Sequence, residues 1–245
     1  MSYHLYCALR RPESANPAMP PGVGGQTVHL VCHQHLGLAV SRVDEADLSF
    51  DLAGVRAHAQ VVASLNRRRT VIPLRYGCRL ADESQVARLL LERGPRYAAL
   101  LQELDGCVEM GIRLLVPAPA TSPAAQVPVG LKDGAGPASP PGVAYLKARE
   151  VHYRRLEGWS QEHGRLAREL QGTFSGLFTK VKAEGPPPRL PLLSLYFLVP
   201  RPRVASFRQR FRRFSCTAAT KLLLSGPWPP YNFVTDDGEH RLPPD

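Results

Sequence analysis

Between Pro117 and Gly142 seven prolines are scattered through alanine, glycine and serine with no hydrophobic period, and no other feature divides the chain so sharply. Proline fixes φ and has no N–H to donate, so such a run builds neither a helix interior nor a sheet interior. Two folded units are therefore expected, residues 1–116 and 143–245, joined by a linker over residues 117–142. Each unit needs its own core. The supply is adequate, because 44% of the 245 residues are apolar and 21% charged, a globular composition.

Strands and helices alternate in the first unit. Tyr3, Leu5, Cys7 and Leu9 fall on one face of a strand, Val28, Leu30 and Cys32 repeat the pattern, and Leu36 to Val43 follows at hairpin distance. Val55, Ala59 and Val62 recur at helical spacing within Leu52 to Asn66, a crossover helix. In TVIPLRYG, Thr70 to Gly77, Pro73 confines a short strand to an edge, an end or a bulge. Asp82 or Ser84 can cap a helix from Glu83 to Arg93, and Pro95 suits the first turn of another. Val108, Met110, Ile112, Leu114 and Val116 then alternate as the unit's last strand. Beyond the linker, Leu146, Tyr153, Leu156, Trp159, Leu166 and Leu170 line one stripe of a long helix that Gly158 and Gly164 weaken. GPPP, Gly185 to Pro188, precedes a strand over Leu192 to Val199. Val204, Phe207, Phe211 and Phe214 mark an amphipathic helix, and Thr220 to Ser225 a final strand. The fold class these patterns predict is α+β with mainly antiparallel sheets.

Several function classes lose ground on the same residues. The apolar run from Leu190 to Pro200 is about half the roughly 20 residues of a membrane-spanning helix, and MSYHLYCALRRPE lacks the pattern of a signal peptide. A cytoplasmic protein is expected. The five cysteines, Cys7, Cys32, Cys78, Cys107 and Cys216, form no CxxC pair and suggest neither a disulfide framework nor a zinc knuckle. In HLVCHQH, His29 to His35, a strand would put His29 and His33 about 13 Å apart, too far to share an ion with bonds of about 2 Å. Cys32 would point the other way, so solvated histidines on a strand are favoured over a metal site, and no cofactor is expected. PGVGG, Pro21 to Gly25, lies between strands and reads as a turn. His58 on a helix and Glu109 on a strand are the one acid–base pair to consider, and nothing else in the sequence converges on them. There is no GxSxG, Walker loop or HExxH, and a non-enzymatic protein is expected.

The chain carries a net charge of +10, and RPRVASFRQRFRRF brings Arg201, Arg203, Arg208, Arg210, Arg212 and Arg213 together beside phenylalanines. A basic RNA-binding α+β module is the alternative this run supports. The phenylalanines sit at core spacing, however, and no strand carries a stacking-aromatic consensus, so a solvated basic helix face is preferred and nucleic acid is the less favoured partner. In GPWPPYNFV, Gly226 to Val234, Pro227, Pro229 and Pro230 exclude a central strand and stiffen an extended segment that presents Trp228, Tyr231 and Phe233. Docking of this tail on the body is expected, with a partner contact nearby.

Taken in order, YHLYCAL, the helix with His58, TVIPLRYG, CVEMGIRL around Glu109, PGVAYL (Pro141 to Leu146) and GPWPPYNFV resemble the gas vesicle accessory proteins of the GvpL/GvpF family. The resemblance spans nearly the whole chain. It implies two ferredoxin-like α+β domains, with the tail returning to the body, and a non-enzymatic component or assembly factor of the gas vesicle. The implied partners are the small hydrophobic shell protein and other accessory proteins, and no membrane. The positions that match the family motifs, as structural or partner-contact residues, are Pro73, Arg75, Gly77, Glu109, Tyr145, Gly226, Pro227, Trp228, Pro229, Pro230 and Tyr231. Arg75 and the segment Trp228 to Tyr231 are expected to be chiefly structural, Arg75 by bonding carbonyls that a Pro-broken strand leaves unpaired and Trp228 by burial.

Overall fold

The structure is a computed structural model that describes residues 2–12, 19–44, 51–115, 163–184, 192–214 and 221–234. Two antiparallel sheets organise it. The first contains β1 (Ser2–Arg10), β2 (His29–His33), β3 (Leu36–Val43) and β4 (Val71–Pro73) in the order β2-β3-β1-β4, with β5 (Arg79–Leu80) also pairing β1. Pro73 ends β4, which is an edge strand, as a residue without an N–H requires.

Helices cover both faces of this sheet. On one side lies α1 (Leu52–Arg68), capped by Asp51, whose carboxylate accepts from the Gly54 N–H at 2.7 Å. Its inward residues are Gly54, His58, Val61, Val62 and Leu65. Val55 and Ala59, which the apolar spacing places inward, are exposed, because the inward face is turned to seat His58. On the other side lies α2 (Glu83–Glu103), capped by Asp82, which accepts from the Gln85 N–H at 2.9 Å. One continuous helix stands where two are predicted, and Pro95 lies inside it. Pro95 leaves the carbonyl of Leu91 without its helical N–H, but both residues are exposed, so water can supply the partner. Leu89, Leu90, Tyr97 and Leu101 bury both halves against the same core, which offsets the lost bond.

Strand β1 serves both cores through a bulge. Leu5 pairs with Val40 and Cys7 with Ala39, so Tyr6 is an extra residue without a partner of its own. Tyr3, Leu5 and Ala8 consequently face α2, while Tyr6, Cys7 and Leu9 face α1. The single face predicted for Tyr3, Leu5, Cys7 and Leu9 is thus split at Tyr6.

The second sheet contains β6 (Cys107–Leu115), β7 (Lys180–Glu184), β8 (Leu192–Pro200) and β9 (Lys221–Trp228) in the order β7-β8-β6-β9. The sequence reading places β6 in the N-terminal unit, but its hydrogen-bond partners are β8 and β9. The Pro-rich stretch, which lies outside the described residues, therefore falls in chain order between two strands of one sheet. Helical residues 163–173 (α3) and α4 (Val204–Arg213) pack on one face of this sheet through Leu170, Phe174 and Phe207 against Met110, Ile112, Leu195 and Phe197. Strands and helices follow one another as β-α-β-β-α-β, the ferredoxin-like order. Of the long stripe expected from Leu146 to Leu170, the described part holds Leu166 and Leu170; the rest lies outside the described residues.

The two sheets share a core. The cluster that holds α2 also takes in Cys107 and Leu198 from the second sheet and Phe233 and Val234 from the tail. Lys180 on β7 pairs with Glu103 on α2 at 2.6 Å, and Arg201 donates to the backbone carbonyl of Asn66 at the end of α1. No helix among the described residues is long and apolar enough to cross a membrane.

Candidate functional site

The chain segments TVIPLRYG and GPWPPYNFV, far apart in the sequence, meet in space against β1, α2 and β6. After Pro73 the loop stays bound to β1, with the Leu74 N–H donating to the Tyr6 carbonyl at 2.9 Å and the Leu5 N–H to the Cys78 carbonyl at 3.0 Å. Gly77 sits at φ 90°, where a side chain would be strained, and lets the chain reverse so that the Cys78 N–H reaches the Arg75 carbonyl. The carbonyl of Leu74 accepts from His58 Nε2 at 3.0 Å, which is the role expected of Arg75. Arg75 itself is exposed, and its guanidinium has no hydrogen bond or ion pair among the described residues.

His58 belongs to a buried aromatic group. Because its Nε2 carries the proton given to Leu74, its Nδ1 accepts, and His4 Nε2 donates to it at 2.9 Å. Both imidazoles are held neutral: burial, followed by the neighbouring His58 and Arg79, lowers the His4 pKa to about 3, and burial lowers that of His58 to about 4. Tyr6 stacks on His58 at 5.3 Å between ring centroids, and its hydroxyl accepts from the Val23 N–H and bonds Ser41, each at 2.8 Å. His58 and Glu109 have separate partners and do not form an acid–base pair. The histidines of HLVCHQH are partly buried or exposed on β2 and its turn, and no group of three metal-ligating side chains occurs among the described residues.

Glu109 anchors the tail. Its Oε2 accepts from the Asn232 backbone N–H at 2.9 Å and its Oε1 from Asn232 Nδ2 at 2.7 Å. Burial raises its pKa, and the two Asn232 donors oppose that shift. Gly226, at φ 105°, crosses β6 so closely that a Cβ would lie 2.6 Å from the Glu109 carbonyl oxygen. The Gly226–Pro227 bond is cis, and Arg208 donates to the Gly226 carbonyl at 3.0 Å. Pro229, Pro230, Phe233 and Val234 are buried and Tyr231 half-buried, with burial raising its pKa. Trp228, expected to be buried, is 52% exposed: it is the last residue of edge strand β9, before the chain turns inward at the prolines. Tyr145 lies outside the described residues.

Trp228 is not alone on the surface. Strand register pairs Leu115 with Lys221, Arg113 with Leu223 and Glu109 with Trp228, placing Leu115, Leu223 and Trp228 on the face of the second sheet opposite α3 and α4. Leu115 is 45% and Leu223 59% exposed. These large apolar side chains, with Arg113 and Lys221 among them, can form a contact surface and have no chemistry of their own. Sequence reasoning missed His4, Tyr6 and Asn232, whose partners lie far away in the chain; only the buried aromatic alternation of YHLYCAL hinted at the first two.

The molecule is similar over its length to known proteins. A family model described as gas vesicle synthesis protein GvpL/GvpF matches residues 2–235. Gas vesicle protein L of Streptomyces sp. (strain CB03234) is 28% identical, with 94% of this chain and 92% of that protein aligned. Gas vesicle protein F of the same strain is 27% identical, with 96% and 100% aligned. Crystal structures of GvpF from Anabaena sp. PCC7120 and from Microcystis aeruginosa superpose with TM-scores of 0.71 and 0.72 at 16% and 14% identity. The first covers 98% of this chain and 99% of the other, the second 96% and 99%. At these identities the likeness to the solved structures is one of fold.

Proposed function

The chain belongs to the gas vesicle synthesis protein GvpL/GvpF family, and from that premise we propose that it is a non-catalytic accessory or minor structural protein that binds the hydrophobic shell protein and supports gas vesicle assembly. The observation that carries this reading is the exposure of Leu115, Leu223 and Trp228 on the second sheet, on the side away from α3 and α4. A highly apolar shell subunit would aggregate before it reached the growing wall. A surface that covers its apolar face would hold it in solution until assembly. Arg113 and Lys221 give the rim a charge, which favours a partner whose apolar surface is bordered by carboxylates. The place of action is then the cytoplasm and the vesicle, with other accessory proteins as further partners.

Co-expression of the tagged chain with the main shell protein of its host, followed by purification in high salt, tests the proposal. Soluble shell protein retained on the tagged chain and lost with Leu223→Asp and Trp228→Ser is the expected result. Shell protein that stays insoluble while nucleic acid follows the chain at low salt would replace this reading with the RNA-binding one.

A further inference from the structure

The loop after β4, helix α2 and the end of the tail enclose a cavity of about 40 Å³. Leu5, Ile72, Leu74, Leu100 and Val234 form its apolar wall. Arg75, Arg93 and Arg96 also line it, and no acidic residue does. Two of these guanidinium groups act at one spot. Burial raises the pKa of the Cys78 thiol in the cavity wall, while the charges of Arg75 and Arg93 both oppose that shift.

We propose that this cavity is a binding site for a partner polypeptide that presents one branched aliphatic side chain next to a carboxylate. The volume sets the first half of the specificity. A water needs about 10–15 Å³ on this measure, so the cavity holds roughly three or four heavy atoms, the size of a valine or leucine side chain and too small for an acyl chain. Charge sets the second half, since Arg75 and Arg93 reach the cavity with no acid in its lining and attract a carboxylate, and the guanidinium fork can meet both of its oxygens. Three of the segments that carry the family resemblance contribute to the walls: Leu5 belongs to YHLYCAL, Ile72, Leu74 and Arg75 to TVIPLRYG, and Val234 ends GPWPPYNFV. Docking of the tail by Glu109 therefore completes the site, and a chain whose tail is released loses one wall. The site shares no residue with Leu115, Leu223 and Trp228, so it goes beyond the shell-binding proposal and stands or falls separately.

Fluorescence anisotropy on the full-length protein tests it, with a fluorescein-labelled Gly-Ser-Leu-Asp-Gly amide as probe. Saturable binding is expected, weakened about tenfold or more when the probe's Asp is replaced by Asn and similarly when its Leu is replaced by Ser. Arg75→Gln should weaken binding as much without moving the melting temperature, since this side chain is exposed and holds nothing else in place. Arg93→Gln gives a second reading from α2. No binding at millimolar probe, or binding indifferent to both arginine substitutions, would overturn the proposal. Binding that emerges only after Asp236→Asn, Asp237→Asn and Glu239→Gln would give the cavity to the chain's own acidic C-terminal stretch, and would overturn it as a partner site.

Discussion

Glu109→Ala is the sharpest test of how the tail is held. The substitution leaves two donors of Asn232, the backbone N–H and Nδ2, without the carboxylate oxygens that accept them at 2.9 and 2.7 Å. An unmet buried donor costs about 1–3 kcal/mol, so keeping the tail docked would cost roughly 2–6 kcal/mol. Releasing it instead exposes Phe233 and Val234, at about 1.5–3 kcal/mol for each side chain. The routes have similar costs, and removal of a buried carboxylate returns some stability, so the expected loss is about 3 kcal/mol. For a chain of this size that lowers the melting temperature by about 6–12 °C. Asn232→Ala removes only the side-chain donor and should cost about half as much. Thermal melting gives the magnitudes, and amide exchange at Asn232 to Val234 shows which route is taken. Melting of Glu109→Ala within about 1 °C of the parent, or a larger loss from Asn232→Ala, would refute the anchoring role.

Four further outcomes are expected. The His4–His58 pair should make the fold acid-sensitive: both folded pKa values lie below the unfolded one, so the contribution is complete above about pH 6.5 and is lost as pH falls toward 4 and 3, at up to about 1.4 kcal/mol per pH unit for each histidine. Denaturant titrations at several pH values between 7 and 4 measure the slope, and a flat profile contradicts the neutral pair. Glu109 has the opposite sign. Its raised folded pKa means a contribution that is full at low pH and declines as pH rises through that value, so the difference between parent and Glu109→Gln in melting temperature should depend on pH in that direction. Gly226→Ala should undock the tail by at least as much as Glu109→Ala, since the new Cβ would meet backbone at 2.6 Å, and circular dichroism melts would show the loss. Trp228→Ala should leave the melting temperature within a few degrees, because half of the ring is already in water, while reducing co-purified shell protein.

Much of the fold was legible because period and punctuation agree with it. The β2–β3 hairpin, the capped start of α2 at Asp82, the Phe207 helix and the β8 strand follow from spacing alone. What escaped depends on partners distant in sequence. The bulge at Tyr6 leaves no local mark, since every residue from Tyr3 to Leu9 is buried whichever face it takes. The inward face of α1 was misread because His58 and Gly54 hold positions an apolar count gives to Val55 and Ala59. Strand β6 looks the same whether it closes one sheet or opens the next, and the Pro-rich run after it invited the wrong choice. Glu109 stood out by its motif, but its use depends on Asn232, 123 positions away.

The arginine run shows how composition misleads when side chains are not followed to their partners. Arg203 donates to the Gly176 carbonyl at 2.6 Å and Arg210 to that of Thr173 at 3.0 Å, meeting carbonyls at the end of α3, where a cation is favoured. Arg201 ties the same turn to the end of α1, and Arg208 holds the Gly226 carbonyl where the tail crosses β6. Four of the six cations are therefore engaged with backbone, each at a junction between elements. A guanidinium engaged in this way keeps its charge but loses the freedom to follow a phosphate. Arg212 and Arg213 alone remain without such bonds among the described residues, too short a stripe to track a nucleic acid backbone. The positive charge of this helix is thus mainly a device of assembly within the chain.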